Sequence, residues 1–325
     1  MEEKIPFIDM HCDTLMQAWF RGRHQVWHLP SAMLDGERLA QGGAKGQFFA
    51  IFLQSMRLKR LAGPLLNDGR YIERLAGIFY RTLAKYPDQI AYAGSFGQMQ
   101  QNWRQGKISA FLTIEDGREV KGRMERLAEY HRMGVRLLGL TWNYRNCFGH
   151  PNSTEEAQMR RGLTRFGKEA VGELNRLGIL IDVSHLSDGG FWDVAGLSKK
   201  PFVASHSNAR ALCPVPRNLT DGMIRAVGNA GGVVGLNQCP AFLYPGSREN
   251  RIEDLTAHLK HIANAGGIEC AALGSDFDGI GGTLTLKGPQ DYGKLAHELA
   301  KQGFSGSEIE KIFSKNVERV IKDVL

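Results

Sequence analysis

Long hydrophobic runs are missing from this 325-residue chain, whose apolar stretches are no longer than a strand, as in Gly178–Ile181. A helix that crosses a bilayer needs roughly 20 predominantly apolar residues, so the sequence predicts no membrane span. The first residues, Met1–Asp9, also lack the basic region, apolar core and cleavage site of a signal peptide. We therefore expect a cytoplasmic protein with no membrane partner.

Paired cysteines are missing as well. The five cysteines are odd in number and contain no Cys-x-x-Cys pair, which disfavours both a disulfide framework and a zinc ribbon. Two interpretations of Cys12 stay open: a reactive thiol, and a buried packing residue, which we favour.

Positive charge is in excess but is not concentrated in one region. The chain carries 41 Lys and Arg against 34 Asp and Glu, a net charge of +7, yet the densest basic groups, Arg57–Arg60 and Arg160–Arg161, are short. A nucleic-acid-binding domain clusters its basic residues on one face or element, so we expect no nucleic-acid partner. No G-x-G-x-x-G motif follows the first predicted strand, which disfavours a dinucleotide-binding fold.

What the sequence does contain is a regular alternation of short apolar runs and longer amphipathic segments. The predicted strands are Pro6–Met10, Gln47–Leu53, Ser109–Ile114, Val135–Leu140, Ile179–Val183, Phe202–Ser205, Val233–Asn237 and Ala271–Ser275. The predicted helices are Tyr71–Tyr86, Arg123–Met133, Thr164–Arg176, Thr220–Asn229, Ile252–Ala265, Asp291–Gln302 and Ser305–Val324. Eight strands alternating with helices predict a (β/α)₈ barrel of the TIM type rather than an open sheet. With no linker in view, we expect residues 1–325 to form a single domain.

Side chains that can bind metals stand at or just past the ends of these predicted strands. They are His11, Asp13, Glu115, His185, His206 and Asp276. The carboxyl ends of barrel strands meet at one face, where active sites are built, so these side chains are predicted to converge. Because side chains alternate along a strand, the two potential ligands of a His-x-Asp sequence point the same way. Taken singly, each residue also fits an ordinary structural role, such as a core histidine, a salt bridge or a helix cap.

Imidazole and carboxylate ligands without thiolates favour a catalytic zinc site, with cobalt or manganese as alternatives. Five protein ligands exceed what a single catalytic zinc usually takes. Two metals bridged by a carboxylate would use all five.

Seven short motifs, in order along the chain, resemble those of the membrane (renal-type) dipeptidases, which are zinc peptidases of the amidohydrolase superfamily. The motifs are Asp9–Asp13, Ile114–Gly117, Leu140–Asn143, Asp182–His185, Ser205–Arg210, Arg217–Asp221 and Gly274–Gly279. The helical segment Glu308–Val320 is similar to the end of the family's sequences, so the resemblance covers nearly the whole chain.

The resemblance implies an amidohydrolase-like barrel that hydrolyses small dipeptides with two zinc ions. His11 and Asp13 would bind one zinc ion, and His185 and His206 the other. Glu115 would bridge the two ions, and a hydroxide held between them would attack the peptide carbonyl.

Two further residues carry implied roles toward the substrate. Asp276 would hold the free ammonium group and handle protons, which requires a carboxylate beside the reacting water. Arg217 would grip the C-terminal carboxylate, which suits a guanidinium fork, and Arg210 would support it. Two charged anchors, one for each end of the ligand, would select ligands by length, so a dipeptide fits. Relatives also accept a D-residue at the C-terminal position and suggest a homodimer.

One position departs from the family pattern. Several relatives carry a histidine that is thought to assist the tetrahedral intermediate where this chain has Trp142, which we expect to contact the substrate. An indole N–H donates one hydrogen bond but cannot exchange a proton. Three substitutes stay open: a larger contribution from the metals, His150 reaching in from its loop, and the neighbouring Asn143 or Tyr144.

Two other functions remain open. The chain could be another amidohydrolase-type hydrolase, a deacylase or lactonase, because fold and metals do not determine the substrate. Arg217 distinguishes these enzymes from a dipeptidase, because a substrate without a carboxylate has no use for it. The chain could also be a non-catalytic metal-binding relative, although its complete set of ligands argues against this.

Overall fold

A sheet of parallel strands, rolled into a ring, forms the centre of the molecule. The computed structural model describes residues 5–54 and 66–325. Its strands are β1 (Phe7–Cys12), β2 (Ala44–Phe52), β3 (Ile90–Tyr92), β4 (Ile108–Glu115), β5 (Val135–Gly139), β6 (Leu180–Asp182), β7 (Val234–Leu236) and β8 (Ala271–Leu273). They pair in the order β6-β5-β4-β2-β1-β8-β7, and β3 pairs with the start of β4.

The ring closes through the segment predicted as the strand Phe202–Ser205. Only two isolated bridges form there, between Val203 and Asp182 of β6 and between Ala204 and Val234 of β7. Backbone hydrogen bonds on both sides complete the closure. The segment is therefore too short to be a strand, which corrects the prediction, but it occupies the place of one. The predicted (β/α)₈-type barrel is confirmed.

Helices surround the ring. They are α1 (Thr14–Phe20), α2 (Gly36–Gly42), α3 (Asp68–Lys85), α4 (Phe96–Arg104), α5 (Glu125–Met133), α6 (Glu156–Met159), α7 (Arg165–Leu177), α8 (Asp188–Leu197), α9 (Asp221–Asn229), α10 (Pro240–Leu243), α11 (Ile252–Gly266), α12 (Tyr292–Lys301), α13 (Gly306–Glu310) and α14 (Asn316–Val324). All seven predicted helices are present, and the last is divided by a π-helical turn at Lys311–Lys315.

The first four residues of the stretch Met1–Asp9 and the basic group Arg57–Arg60 lie outside the described residues. Within the described part of the chain, no helix combines the length and the apolar character that crossing a membrane requires. A single domain over residues 1–325 stays a prediction.

One apolar cluster takes side chains from almost every strand of the ring and fills its interior. Its members from the ring are Ile8, Met10, Phe48, Phe111, Leu137, Leu180, Val203, Val233 and Ala272. Phe48 and Phe111 stack with ring centroids 4.4 Å apart. The other faces of the strands pack against the helices in a second, larger cluster. The barrel is therefore a packed core rather than a pore, as its fold type requires.

The C-terminal helix α14 covers one end of this core. Val317, Val320 and Ile321 are buried in the interior cluster. Asn316 donates hydrogen bonds to the carbonyl oxygens of Ile268 and Ala271, just before and at the start of β8. These contacts place α14 at the N-terminal ends of the strands, opposite the end that carries the candidate functional residues.

Replacing Ile321 with alanine should destabilise the fold by about 2–5 kcal/mol, because the lost side chain leaves a cavity in the barrel interior. The measurement is the urea midpoint of unfolding, followed by circular dichroism. Lys322→Ala, at the exposed next position, is the matched control and should stay within about 0.5 kcal/mol of the parent. Equal midpoints for the two variants would contradict this account of α14.

Candidate active site

The six side chains predicted from the strand ends lie together at the C-terminal end of the barrel. Two groups have ligand atoms within 4.8 Å of one another: His11, Glu115 and His206, and His11, Asp13 and Asp276. His185 joins the first group through its Nε2, which lies 2.8 Å from Oε1 of Glu115. The predicted convergence is therefore present in the structure. Five of the six residues are at most 9% exposed.

Glu115 is at the centre of the cluster because β4 ends on it. Its Oε1 lies 2.8 Å from Nε2 of His185 and 3.5 Å from Nε2 of His206. Its Oε2 turns the other way and lies 3.6 Å from Nε2 of His11. Each carboxylate oxygen thus faces a different set of imidazoles, which is the arrangement that a bridging ligand needs.

The opposite side of the cluster is acidic. Nε2 of His11 lies 3.9 Å from Oδ1 of Asp13 and 3.9 Å from Oδ1 of Asp276. Asp276 is therefore near enough to act as a ligand as well as to contact a substrate. Cys12, between the two ligands, points away and donates through Sγ to the carbonyl of Phe48, as the packing interpretation predicts.

A bulge in β1 directs His11 into the site. Asp9 pairs with Gln47 and Cys12 with Phe49, so Met10 and His11 of β1 lie opposite the single residue Phe48 of β2. Oδ1 of the buried Asp9 accepts the backbone N–H of His11 at 3.1 Å and that of Ser275 at 3.0 Å. Such a bulge re-aims the side chains that follow it, and Asp9 ties β1 to the segment just after β8.

A second buried carboxylate, Asp182, supports the histidines. Its Oδ2 accepts the hydroxyl of Ser205 at 2.6 Å, and that hydroxyl lies 2.7 Å from Nδ1 of His206. Because the single hydroxyl proton points to Asp182, His206 donates from Nδ1 to Ser205. Nε2 then carries a lone pair that is available to a metal ion, as in metal sites whose histidines are oriented by hydrogen bonds to their other nitrogen.

The donor set fits a bound metal. Within the described part of the chain, both ring nitrogens of His11, Oδ1 of Asp13 and Nδ1 of His185 are buried without a hydrogen-bond partner. An unsatisfied buried polar group costs about 1–3 kcal/mol. The Nε2 atoms of His185 and His206 also face each other at 3.2 Å. Imidazole nitrogens and carboxylate oxygens are the donors of catalytic zinc sites.

Burial and neighbouring charges shift the pKa values of these groups in different directions. Burial raises the pKa of Asp276 to about 6, against the opposing effect of His11. Burial and the charge of Arg217 lower the pKa of His185 to about 4. Burial alone would raise the pKa of Glu115, but the charge of His11 and the close contacts with the other two histidines hold that pKa well below its usual range. A neutral imidazole and an ionised carboxylate are the forms that bind metals.

The cluster forms part of the lining of a cavity of about 680 Å³, a size typical of small-molecule sites. Phe52, Trp142, Phe242 and Ile280 supply apolar walls, and the loop after β5 adds polar groups such as Asn152. The ring of Trp142 packs against that of Phe52 with centroids 4.8 Å apart. The cavity is thus acidic beside the cluster and apolar at its sides.

Arg217 brings a positive charge into the same cavity. It is buried, and it donates from Nη1 to Oγ of Ser207 at 2.7 Å and from Nη2 to the carbonyl of His206 at 2.9 Å. Its Nε–H has no partner among the described residues. Arg210, by contrast, is occupied by a bidentate pair with Asp188 and by two backbone carbonyls, which suits a supporting role.

The residues around Trp142 differ in how they reach the site. Asn143 lines the cavity. His150 is buried outside the cavity lining, and Tyr144 is 60% exposed and also outside it. Of the three neighbours proposed as substitutes for the family histidine, only Asn143 is therefore placed to face a ligand.

Sequence reasoning missed several residues that shape the site. Asp9 and Asp182 were not singled out, although an acidic residue inside an apolar strand is a usable signal. Asn237 ends a predicted strand, the same signal that identified the ligands, and it donates to Asp276. Gly279 was also missed, and a Cβ there would lie 2.3 Å from Oδ2 of Asp13 and 2.4 Å from Oδ1 of Asp276. No sequence pattern shows such a close approach.

Comparison with known proteins agrees with this geometry. The family model described as membrane dipeptidase (peptidase family M19) matches residues 1–325. An uncharacterised dipeptidase of Schizosaccharomyces pombe is 30% identical over 98% of this chain and 80% of its own length.

Two solved structures are similar over 99% of this chain. A dipeptidase described as a metallopeptidase of family M19 has 28% identity and a TM-score of 0.88 over 99% of its length. A Rhodobacter sphaeroides metallopeptidase, solved with a phosphinate mimic of the dipeptide L-Ala-D-Ala, has 27% identity and a TM-score of 0.87 over its full length. On the whole-chain family match, this protein belongs to the membrane dipeptidase family, peptidase family M19.

Proposed function

We propose that this protein is a zinc-dependent dipeptidase that hydrolyses the peptide bond of small dipeptides. The observation that supports it best is the presence of Arg217 in the same cavity as the cluster of histidines and carboxylates. A guanidinium suits a carboxylate ligand, and the acidic cluster suits a metal and an ammonium group. Family membership supports the same activity.

For the metals, we propose two zinc ions. His11 and Asp13 would hold one ion, His185 and His206 the other, and Glu115 would lie between them with one oxygen toward each pair. Zinc supplies an activated water and Lewis-acid polarisation of the peptide carbonyl. The hydrogen bonds of His206 and the bulge at His11 hold the ligands in place before metal binding.

For the substrate, the chain offers two charged anchors. Arg217 would bind the C-terminal carboxylate through its free Nε–H, and Asp276 would bind the N-terminal ammonium group and accept or return protons. Trp142 and Phe52 would form the apolar wall beside the dipeptide and exclude water from it. Because both anchors lie in one cavity, a peptide longer than the span between them would not bind both at once. The Rhodobacter sphaeroides complex supports including dipeptides with a C-terminal D-residue. A cytoplasmic location and a homodimer stay predictions.

The first test is hydrolysis of a panel of L-L and L-D dipeptides by protein that has been stripped of metal and then reloaded with zinc. Activity should disappear on stripping and return with zinc. The N-acetylated and C-amidated forms of the best substrate should be cleaved poorly, because each lacks one charge that an anchor binds. Cleavage of the blocked compounds would favour a deacylase or another amidohydrolase, and zinc binding without any turnover would favour a non-catalytic relative.

Arg217→Ala should lower kcat/KM for the best dipeptide about 10- to 100-fold, since a hydrogen bond to a charged group contributes about 1.5–3 kcal/mol. The C-amidated dipeptide, which has no carboxylate, should lose little further activity. Arg225→Ala, which changes an exposed arginine outside the cavity lining, is the control. An equal loss on both substrates would indicate that Arg217 only supports the fold.

Gly279→Ala should reduce zinc content and lower kcat/KM about 100-fold, because a methyl group there displaces the carboxylates of Asp13 and Asp276 and small misplacements of reacting groups are costly. The measurements are metal analysis and steady-state kinetics. Gly281→Ala, two residues on, is the matched control, since a Cβ there meets nothing within 4 Å. Full activity of Gly279→Ala would show that the ligands can shift without loss.

A further inference from the structure

Asn237 lies directly beside Asp276 and is completely buried. It follows the last residue of β7, and its Nδ2 donates to Oδ2 of Asp276 at 2.9 Å. The amide also lies 3.4 Å from the carbonyl of His206. It therefore links the strand end that carries one proposed ligand to the carboxylate that faces the substrate cavity.

The orientation of this amide is determined by its other contacts. Oδ1 of Asn237 accepts the backbone N–H of Cys239 at 2.7 Å. A flipped amide would place its NH₂ group against that N–H and its oxygen against the carboxylate of Asp276. A donor would then face a donor, and an acceptor would face an acceptor. The backbone of Asn237 is itself held on both sides, because Asn208 accepts from its N–H and donates to its carbonyl.

The consequence for Asp276 is that its two oxygens are not equivalent. Oδ2 is bound by Asn237, while Oδ1 lies toward His11 at 3.9 Å. The backbone of Asp276 has a φ of 62°, in the left-handed region, where a residue other than glycine is held only by its surroundings. The rotation of the carboxylate therefore depends on the hydrogen bond from Asn237.

We propose that Asn237 is a positioning residue that orients the carboxylate of Asp276 toward the substrate. The inference rests on the role proposed above for Asp276. Asn237 would touch neither substrate nor metal and would act through Asp276. Its amide satisfies one oxygen of Asp276 and leaves the other directed at the cavity.

The isosteric variant Asn237→Asp separates this role from a structural one. The variant retains an oxygen that can accept the N–H of Cys239, but it replaces the donor facing Asp276 with a second acceptor. We expect kcat/KM for the best dipeptide to fall about 10- to 100-fold, the usual effect of losing a group that orients a site residue. Zinc content should not change, because Asn237 is not among the proposed ligands.

A double-mutant cycle with Asp276→Asn provides the decisive measurement. If Asn237 acts through Asp276, the double variant should be no less active than Asp276→Asn alone, because residues that act as a unit are not additive. Asn316→Asp is the matched control, since Asn316 is a buried asparagine that donates to backbone carbonyls at the other end of the barrel and contacts neither Asn237 nor Asp276. Its effect should multiply with that of Asp276→Asn. If Asn237→Asp does not fold, the cycle is repeated with Asn237→Ala.

The outcomes separate the inference from the function on which it rests. A fully active Asn237→Asp beside an inactive Asp276→Asn would overturn the inference alone, and so would effects that multiply in the cycle. Full activity of Asp276→Asn would overturn the proposed role of Asp276 itself. Loss of activity in Asn237→Asp, with no further loss in the double variant, supports the positioning role.

Discussion

The burial of three carboxylates around one histidine, each with an oxygen 3.6–3.9 Å from Nε2 of His11, is the constraint on which the rest of the site depends. Glu115, Asp13 and Asp276 repel one another where little solvent screens them, and burial of uncompensated charge is costly. The histidines facing Glu115 compensate only part of that charge. A bound cation would compensate the remainder, so the residues of the cluster fit a metal centre better than a structural core.

A cluster of this kind must be held in place by groups that do not themselves bind the metal. Asp9 fixes the bulge that aims His11, Asp182 sets the tautomer of His206 through Ser205, and Asn237 binds Asp276. Each support lies within or directly after a strand. The two ends of the barrel therefore have different roles: α14 covers the packed core at one end, and the strand ends present charged groups at the other.

The sequence predicts the site residues well where each lies at the end of a single apolar strand. The His, Asp and Glu residues at strand ends were found because their position relative to an apolar run is visible locally. The closure at Val203 and Ala204 was predicted as a full strand, because apolar composition does not reveal how few backbone pairs a tightly curved ring allows, and the three-residue β3 was missed for lack of length. The contact of Gly279 with Asp13 and Asp276 joins distant parts of the chain, so only the folded structure contains it. The roles of Arg217 and Asp276 came from the resemblance, since no local pattern assigns a partner to an arginine in a loop.

Under the proposed function, Trp142 leaves more of the proton transfer to Asp276. An indole cannot exchange a proton. Apart from the proposed metal ligands, the titratable groups lining the described part of the cavity are Asp276, Arg217 and Cys239. A guanidinium does not give up its proton, and burial raises the pKa of the Cys239 thiol. In the proposed mechanism, proton transfer at this site would therefore rely on Asp276, and the surrounding fold would have to hold that carboxylate in one orientation.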